Sequence, residues 1–250
     1  MQLLTMRKPR KLRLDEALVE HGLAPTVERA RAEILAGNVL VDEEPRNCAS
    51  DRVTGQQALR LRSAPQPFVS RAGGKLDAAL QDFGVDVRDR VVADLGASTG
   101  GFTDCLLQRG ARRVYAIDVG YNQLAWKLRQ DVRVVVMERT NARTLESLPE
   151  PVSLVVGDLS FISLSQILPT VARLLAGAGD AVLLIKPQFE AARGALGPGG
   201  NLPEGHARDL AIESVLADAR AEGFTVVAVA QSTVPGARAK NVEALVHLRP

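Results

Sequence analysis

The chain has 250 residues, 46% apolar and 24% charged, the proportions of a globular protein with one large domain or a large domain plus a small one. Two distant cysteines, Cys48 and Cys105, and three scattered histidines exclude zinc-type ligand spacing and a disulfide framework, and no apolar run reaches the ~18 residues of a membrane span. Charge is uneven: residues 1–72 carry 12 basic and 9 acidic side chains, the remainder 19 and 20, so a slightly basic front end precedes a near-neutral body.

The N-terminal run MQLLTMRKPRKLR puts its apolar residues before its charges, the reverse of a secretory signal, which with the cysteine usage predicts a cytoplasmic protein. Within that run Arg7, Lys8, Arg10, Lys11 and Arg13 place five cations in seven positions, a candidate phosphate-binding arm. Apolar residues at 14, 17 and 18 predict a first helix that Gly22 ends, and Thr26 is placed to cap a second helix running to Gly37. Short strands are expected at 39–41 and 58–61. So few large apolar side chains make this a small, marginal unit. Ala64-Pro65-Gln66-Pro67 reads as a linker, giving expected boundaries of 1–63, 64–69 and 70–250.

Beyond Ser70 strands and helices alternate. Strands are expected at 91–95, 113–118, 132–137, 152–157, 181–186, 224–231 and 242–248, with helices at 74–83, 101–109, 122–130, 161–176 and 206–222. Alternation of this kind is the pattern of an α/β fold with an open, doubly wound parallel sheet. Residues 232–241 are too polar and broken for a crossover helix, so the seventh strand is expected to return as a hairpin and lie antiparallel. The glycine-rich stretch 190–205 is expected to be a long loop.

The strongest local signal is Asp94-Leu95-Gly96-Ala97-Ser98-Thr99-Gly100-Gly101-Phe102, a strand end, a glycine-rich turn and a helix start. Glycines there let a ligand approach backbone N–H groups at the positive end of a helix. A pyrophosphate at this turn would meet like charge from Asp94, whereas a ligand bearing a cationic amine, such as S-adenosylmethionine, would find an acceptor. Asp118, at the end of the second strand, suits the two hydroxyls of a ribose and does not by itself discriminate among adenosine cofactors. Asp158 and Lys186 close the fourth and fifth strands, where ligand crevices of open α/β sheets lie. Nine aromatic residues are too few for base stacking to dominate nucleic-acid binding.

Seven runs, SRAGGKL at 70–76, DLGASTGGFTD at 94–104, AIDVGYNQLAW at 116–126, ERTNAR at 138–143, GDLSFISL at 157–164, IKPQFE at 185–190 and NVEALV at 241–246, closely resemble the TlyA, or hemolysin A, family over nearly the whole chain. The resemblance implies an S4-type RNA-binding domain of α+β structure joined to an FtsJ-like, Rossmann-like class I methyltransferase sheet of seven strands, acting on a ribose 2′-hydroxyl of ribosomal RNA, with cytidine as the expected nucleotide. By position it implies a catalytic tetrad of Lys75, Asp158, Lys186 and Glu243, and an S-adenosylmethionine pocket drawing on Asp94, Gly96, Ala97, Ser98, Thr99, Gly100, Gly101, Phe102, Asp118, Val119 and Asn141. Lys186 is expected to orient the attacking hydroxyl and is a candidate base, with Asp158 positioning it. Lys75 and Glu243 are expected to hold the substrate ribose. The front end matches S4 domains at Leu14-Asp15, Leu18, Gly22 and 37–42 but has Thr26-Val27 where Ser-Arg is usual, so Arg29 and Arg31 are expected to supply RNA-binding charge from nearby. A nicotinamide-dependent oxidoreductase would share the glycine turn and Asp118. A membrane-active hemolysin would need an amphipathic or spanning segment, and none is visible.

Overall fold

The computed structural model describes residues 11–62, 67–175, 177, 179–191, 194, 196–197, 200–202, 205–234 and 241–250. The chain divides into two compact units, Met1–Gln66 and Pro67–Pro250.

The small unit comprises β1 (Lys11–Arg13), α1 (Leu14–Glu20), α2 (Val27–Leu35), β2 (Val39–Val41), β3 (Glu44–Arg46), β4 (Arg52–Thr54) and β5 (Leu59–Leu61). Strand β1 pairs antiparallel with β4, while β2 lies between β3 and β5. Leu14, Leu18, Ile34, Val39, Val41 and Val53 form the core. Thr26 caps α2 as expected, its hydroxyl accepting from the Arg29 N–H at 3.2 Å. Strands β1, β3 and β4 were not expected, since charged and proline-containing triplets carry no apolar alternation. The β2–β3 turn is unusual as well. Asp42 and Glu43 both take positive φ, 51° and 67°, at positions that normally favour Asn-Gly. The Asp42 carboxylate holds that turn by accepting from the Ala58 N–H at 2.9 Å and the Gln57 amide at 3.0 Å.

The large unit comprises α3 (Ala72–Asp82), β6 (Val91–Leu95), α4 (Gly101–Gln108), β7 (Arg113–Ile117), α5 (Trp126–Arg129), β8 (Val134–Met137), β9 (Leu154–Gly157), α6 (Leu168–Leu175), β10 (Asp180–Ile185), α7 (Pro187–Glu190), α8 (His206–Ala221), β11 (Thr225–Gln231) and β12 (Ala244–Arg249). Two 3-10 turns, Ala142–Thr144 and Leu164–Gln166, interrupt the loops after β8 and β9. The sheet runs β11-β12-β10-β9-β6-β7-β8. Strands β8, β7, β6, β9 and β10 are mutually parallel, and β12 is antiparallel to both of its neighbours. The last strand therefore returns antiparallel as expected, but it slots between β10 and β11.

Successive strand residues face opposite sides, and here both sides are apolar because helices cover both. Val91, Ala93 and Leu95 of β6 pack with α6 and α8, while Val92 packs with α3 and α4 through Leu76, Leu80, Phe102 and Leu106. Two expected helices are shorter than their apolar periodicity suggests. Asn122 at φ 57° breaks the start of one, leaving only α5, and Phe161 at φ 65° precludes a helix until the 3-10 turn and α6. Seven residues of the glycine-rich stretch 190–205 lie outside the described residues.

A charge cluster fastens the end of the sheet opposite the glycine turn. Asp180, opening β10, accepts from His247 Nε2 at 2.8 Å and Arg249 Nε at 2.9 Å of β12, and from Arg90 at 2.8 Å. Burial raises the Asp180 carboxyl, but its hydrogen bonds to Arg249, His247 and Arg90 outweigh that and hold it down at about 2. A carboxyl depressed from 3.8 in the unfolded chain stabilises the fold above that value and loses the contribution as pH falls toward 2. Asp180→Asn is therefore expected to cost about 2 kcal/mol at pH 7 and much less near pH 2, as read by urea denaturation at both values.

Candidate active site

The C-terminal ends of β6, β7, β9 and β10 converge on the glycine turn, and the backbone there is sharply constrained. Gly96, Ser98 and Gly100 take φ of 83°, 48° and 95°. At Gly96 a Cβ would stand 3.1 Å from the Asp158 carbonyl oxygen, so glycine lets the first and fourth strand ends approach. Gly100 and Gly101 also have a packing reason. Added Cβ atoms would lie 2.2 Å from Leu128 Cδ1 and 2.2 Å from Ser70 Oγ respectively, so packing against α5 and the start of α3 demands them.

Asp118 follows β7 and anchors the turn. Its carboxylate accepts from the Ser98 N–H and the Gly120 N–H, each at 2.7 Å, which aims the group and leaves its remaining lone pairs for a ligand. Asn141 caps the first 3-10 turn through the Arg143 N–H at 3.0 Å. Two adjoining cavities open here. The larger, about 480 Å³, is lined by Asp118, Val119, Asn141 and Ile162 among others. The smaller, about 150 Å³, is lined by Ser70, Ala97, Thr99, Gly101, Phe102 and Lys186 among others. Gly96, Ser98, Asp158 and Ser160 line both and mark their junction.

Asp94 and Gly100 line neither cavity. Asp94 is wholly buried beneath the turn, one carboxylate oxygen accepting from Thr103 Oγ1 at 2.6 Å and the other without a partner among the described residues. Burial pushes its carboxyl up to about 7, with Asp158 and Asp118 adding to the rise and the Thr103 hydrogen bond opposing it. The acceptor expected from the sequence thus lies enclosed beneath the turn.

The four residues of the expected tetrad form two pairs. Lys186 Nζ donates to Ser160 Oγ at 2.6 Å and stands 2.6 Å from Asp158 Oδ1, an ion pair whose angle falls outside hydrogen-bond geometry. Lys75 Nζ donates to Glu243 Oε2 at 2.5 Å, with the two side chains only 9% and 3% exposed. The second pair lines neither of these two cavities, and each charge neutralises the other in the protein interior. Ser160 and Phe161 were missed as site residues although both stand in the GDLSFISL run. Phe161 lines the larger cavity, is 80% exposed and packs its ring 5.2 Å from that of Phe189. Glu190 adds a further tie between the same loops, accepting from Ser163 Oγ at 2.6 Å and the Leu164 N–H at 2.9 Å.

In the small unit, Arg7, Lys8 and Arg10 lie outside the described residues, and Lys11 is exposed on β1. The other expected RNA-binding cations already have acidic partners. Arg13 and Arg31 both bind the fully buried Asp15, at 2.9 and 2.8 Å, and Arg29 pairs with Glu33 at 2.8 Å on the next turn of α2. The Arg13 hydrogen bond, aided by Arg31 against the effect of burial, holds Asp15 down at about 2. Asp15 therefore fixes two guanidiniums side by side while leaving Arg31 half exposed.

Six parallel strands with an antiparallel one slotted in next to last, and a two-part crevice over a glycine turn, define the class: a Rossmann-like methyltransferase. Residues 68–249 match the family model for the FtsJ-like methyltransferases, and residues 12–59 match that of the S4 domain. The chain belongs to the FtsJ-like methyltransferase family and carries an S4 domain ahead of the catalytic unit. It is 44% identical over 243 residues, 96% of this chain and 90% of the relative, to the 16S/23S rRNA (cytidine-2'-O)-methyltransferase TlyA of Mycobacterium tuberculosis. It is 38% identical over 239 residues to Hemolysin A of Brachyspira hyodysenteriae, covering 94% and 99% of the two chains. A solved structure from Streptococcus thermophilus that carries a provisional hemolysin name aligns with TM-score 0.74 and 41% identity, over 97% of this chain and 89% of that one.

Proposed function

We propose that the protein transfers a methyl group from S-adenosylmethionine to the ribose 2′-hydroxyl of a cytidine in ribosomal RNA. The observation that carries the reading is Lys186 in the wall of the smaller cavity, held by Asp158 and Ser160, which mark its junction with a cavity within the size range of a small-molecule site. The residues present fit the donor. Asp118 offers an oriented carboxylate to a ribose, and the first turn of α4 leaves N–H groups without helical acceptors for a carboxylate. The unpartnered Asp94 oxygen lies beneath them to favour a nearby ammonium. When bound, S-adenosylmethionine supplies an electrophilic methyl group.

The chain's own residues supply alignment and proton handling. A sugar hydroxyl is a weak nucleophile, and fixing its oxygen in line can be worth up to ~7–11 kcal/mol, with a positioned base adding roughly 10²–10⁴-fold. Lys186 meets the hydroxyl oxygen and manages its proton, while Asp158 holds the lysine in place. The S4 domain, with Lys11 exposed and the Arg13–Asp15–Arg31 cluster, engages RNA phosphates. The expected substrate is ribosomal RNA within a ribosomal subunit, and the expected compartment is the cytoplasm. For the membrane-active alternative, no helix among the described residues is long and apolar enough to cross a membrane.

The test is transfer of labelled methyl from S-adenosylmethionine to ribosomal RNA, offered naked and as separated subunits, followed by digestion to nucleosides. Label in 2′-O-methylcytidine is the expected result. Label on a base, or none despite confirmed donor binding, would overturn the proposal.

Asp94 provides an independent check on the donor side. A carboxyl raised from 3.8 to about 7 makes the fold bind a proton across that interval, so its ionised form destabilises the protein most fully above pH 7. Asp94→Asn removes that burden. The variant is expected to have a higher Tm than the wild type at pH 8, no gain at pH 5, and donor binding weakened about tenfold or more by calorimetry. A variant that binds the donor normally would show Asp94 to be a purely structural acceptor for Thr103.

A further inference from the structure

We propose that Ser160 is a positioning residue for the transfer: its hydroxyl fixes the direction of the Lys186 ammonium and so aims a remaining N–H at the substrate's 2′-oxygen. The inference rests on Lys186 being the residue that meets that oxygen.

An ammonium has three donors, and its attraction to a carboxylate is strong but weakly directional. Asp158 supplies that attraction, with Oδ1 at 2.6 Å from Nζ, yet the contact lacks hydrogen-bond angles and does not orient the group. Ser160 supplies the angle. Its Oγ accepts from Nζ at 2.6 Å with hydrogen-bond geometry, the one contact of Lys186 among the described residues that does so. Attraction and direction thus come from different side chains two residues apart on the same loop.

The place of Ser160 is fixed by more than its own hydrogen bond. Strands β9 and β10 are adjacent and parallel, with Gly157 opposite Leu183, so the loops that leave them run side by side. Three successive contacts lace those loops: Ser160 to Lys186, Phe161 to Phe189, and Ser163 with Leu164 to Glu190. Phe161 holds a left-handed backbone, φ 65°, immediately after Ser160, a conformation that persists only where the surroundings impose it. Ser160 also lines both cavities, whereas Lys186 lines only the smaller. The serine therefore stands where donor and acceptor must meet.

Ser160 is exposed, so removing its hydroxyl opens no hole in the core, and any loss of turnover must come from the site. The experiment compares Ser160→Ala, Ser160→Thr, Lys186→Ala and the Ser160→Ala/Lys186→Ala double variant, measuring kcat, RNA KM, donor Kd and Tm for the full chain. Ser160→Ala is expected to lower kcat about 10- to 100-fold, the cost of a small misplacement of a reacting group, with donor Kd, KM and Tm near the wild type. Ser160→Thr, which keeps the hydroxyl, is expected to restore most of the rate. In the Lys186→Ala background the serine change is expected to cost nothing more, since it acts through the lysine.

Wild-type kcat in Ser160→Ala beside an inactive Lys186→Ala would overturn the role of Ser160 alone. A loss that follows donor Kd would make it a donor contact instead. Full turnover in Lys186→Ala would overturn the reading on which the inference rests.

Discussion

Lys186→Ala is expected to abolish most turnover, lowering kcat about 10²–10⁴-fold, while donor and RNA affinity stay within a few-fold of the wild type. Lys186 closes β10 and lines only the smaller cavity, so its removal leaves untouched the walls of the larger one. Lys186→Arg is expected to be nearly as damaging. A guanidinium carries its donors in a rigid plane and stays protonated, so it reproduces neither the compact contact with Asp158 and Ser160 nor a base. Single-turnover measurements with saturating donor separate the chemical step from binding and release. Retained single-turnover rates in Lys186→Ala would move the catalytic role elsewhere in the site.

Glu243→Ala is expected to be the most damaging single change to stability, costing about 3–5 kcal/mol by leaving the Lys75 ammonium buried without its partner. For a chain of this size that corresponds to a Tm lower by about 10 °C. Replacing both partners with apolar side chains of similar volume, Lys75→Met with Glu243→Leu, is expected to recover most of the loss, because buried ion pairs are often no more stabilising than a well-packed apolar pair. The double variant then separates two roles. A stable but inactive enzyme would mean that the buried pair is kept for the reaction, its charge acting on the crevice from outside the cavity walls. A stable and active one would make it a packing device. A cost below about 1 kcal/mol for Glu243→Ala would mean that the pair is reached by water.

Much of the site was legible residue by residue. Asp118, Asp158 and Lys186 are charges that end apolar runs, and an apolar run with a charged terminus marks a strand leading into a crevice whatever its partners are. The glycine turn announced itself by composition. The structure adds reasons that local pattern does not carry. Gly100 takes φ 95° and packs against Leu128, Gly101 packs against Ser70 and the Gly73 backbone, and Asp94 faces Thr103 inside the fold, lining neither cavity. Ser160 was overlooked because a lone serine has no compositional signal; its meaning comes from a lysine at the end of a neighbouring strand.

The same division separates the two levels for the whole molecule. Sequence by itself determined the strands and most helices of the large unit, the antiparallel return of the last strand, the cap on α2 and the family. These depend on periodicity, turn chemistry and runs of neighbouring residues. Tertiary structure alone decided that β12 inserts between β10 and β11 and that a tetrad divides into a buried pair and a crevice pair. It also decided that Arg13 and Arg31 share Asp15. The physical reason is range. Lys75 and Glu243 are 168 positions apart, and which charge neutralises which is settled by burial and distance after the sheet has formed.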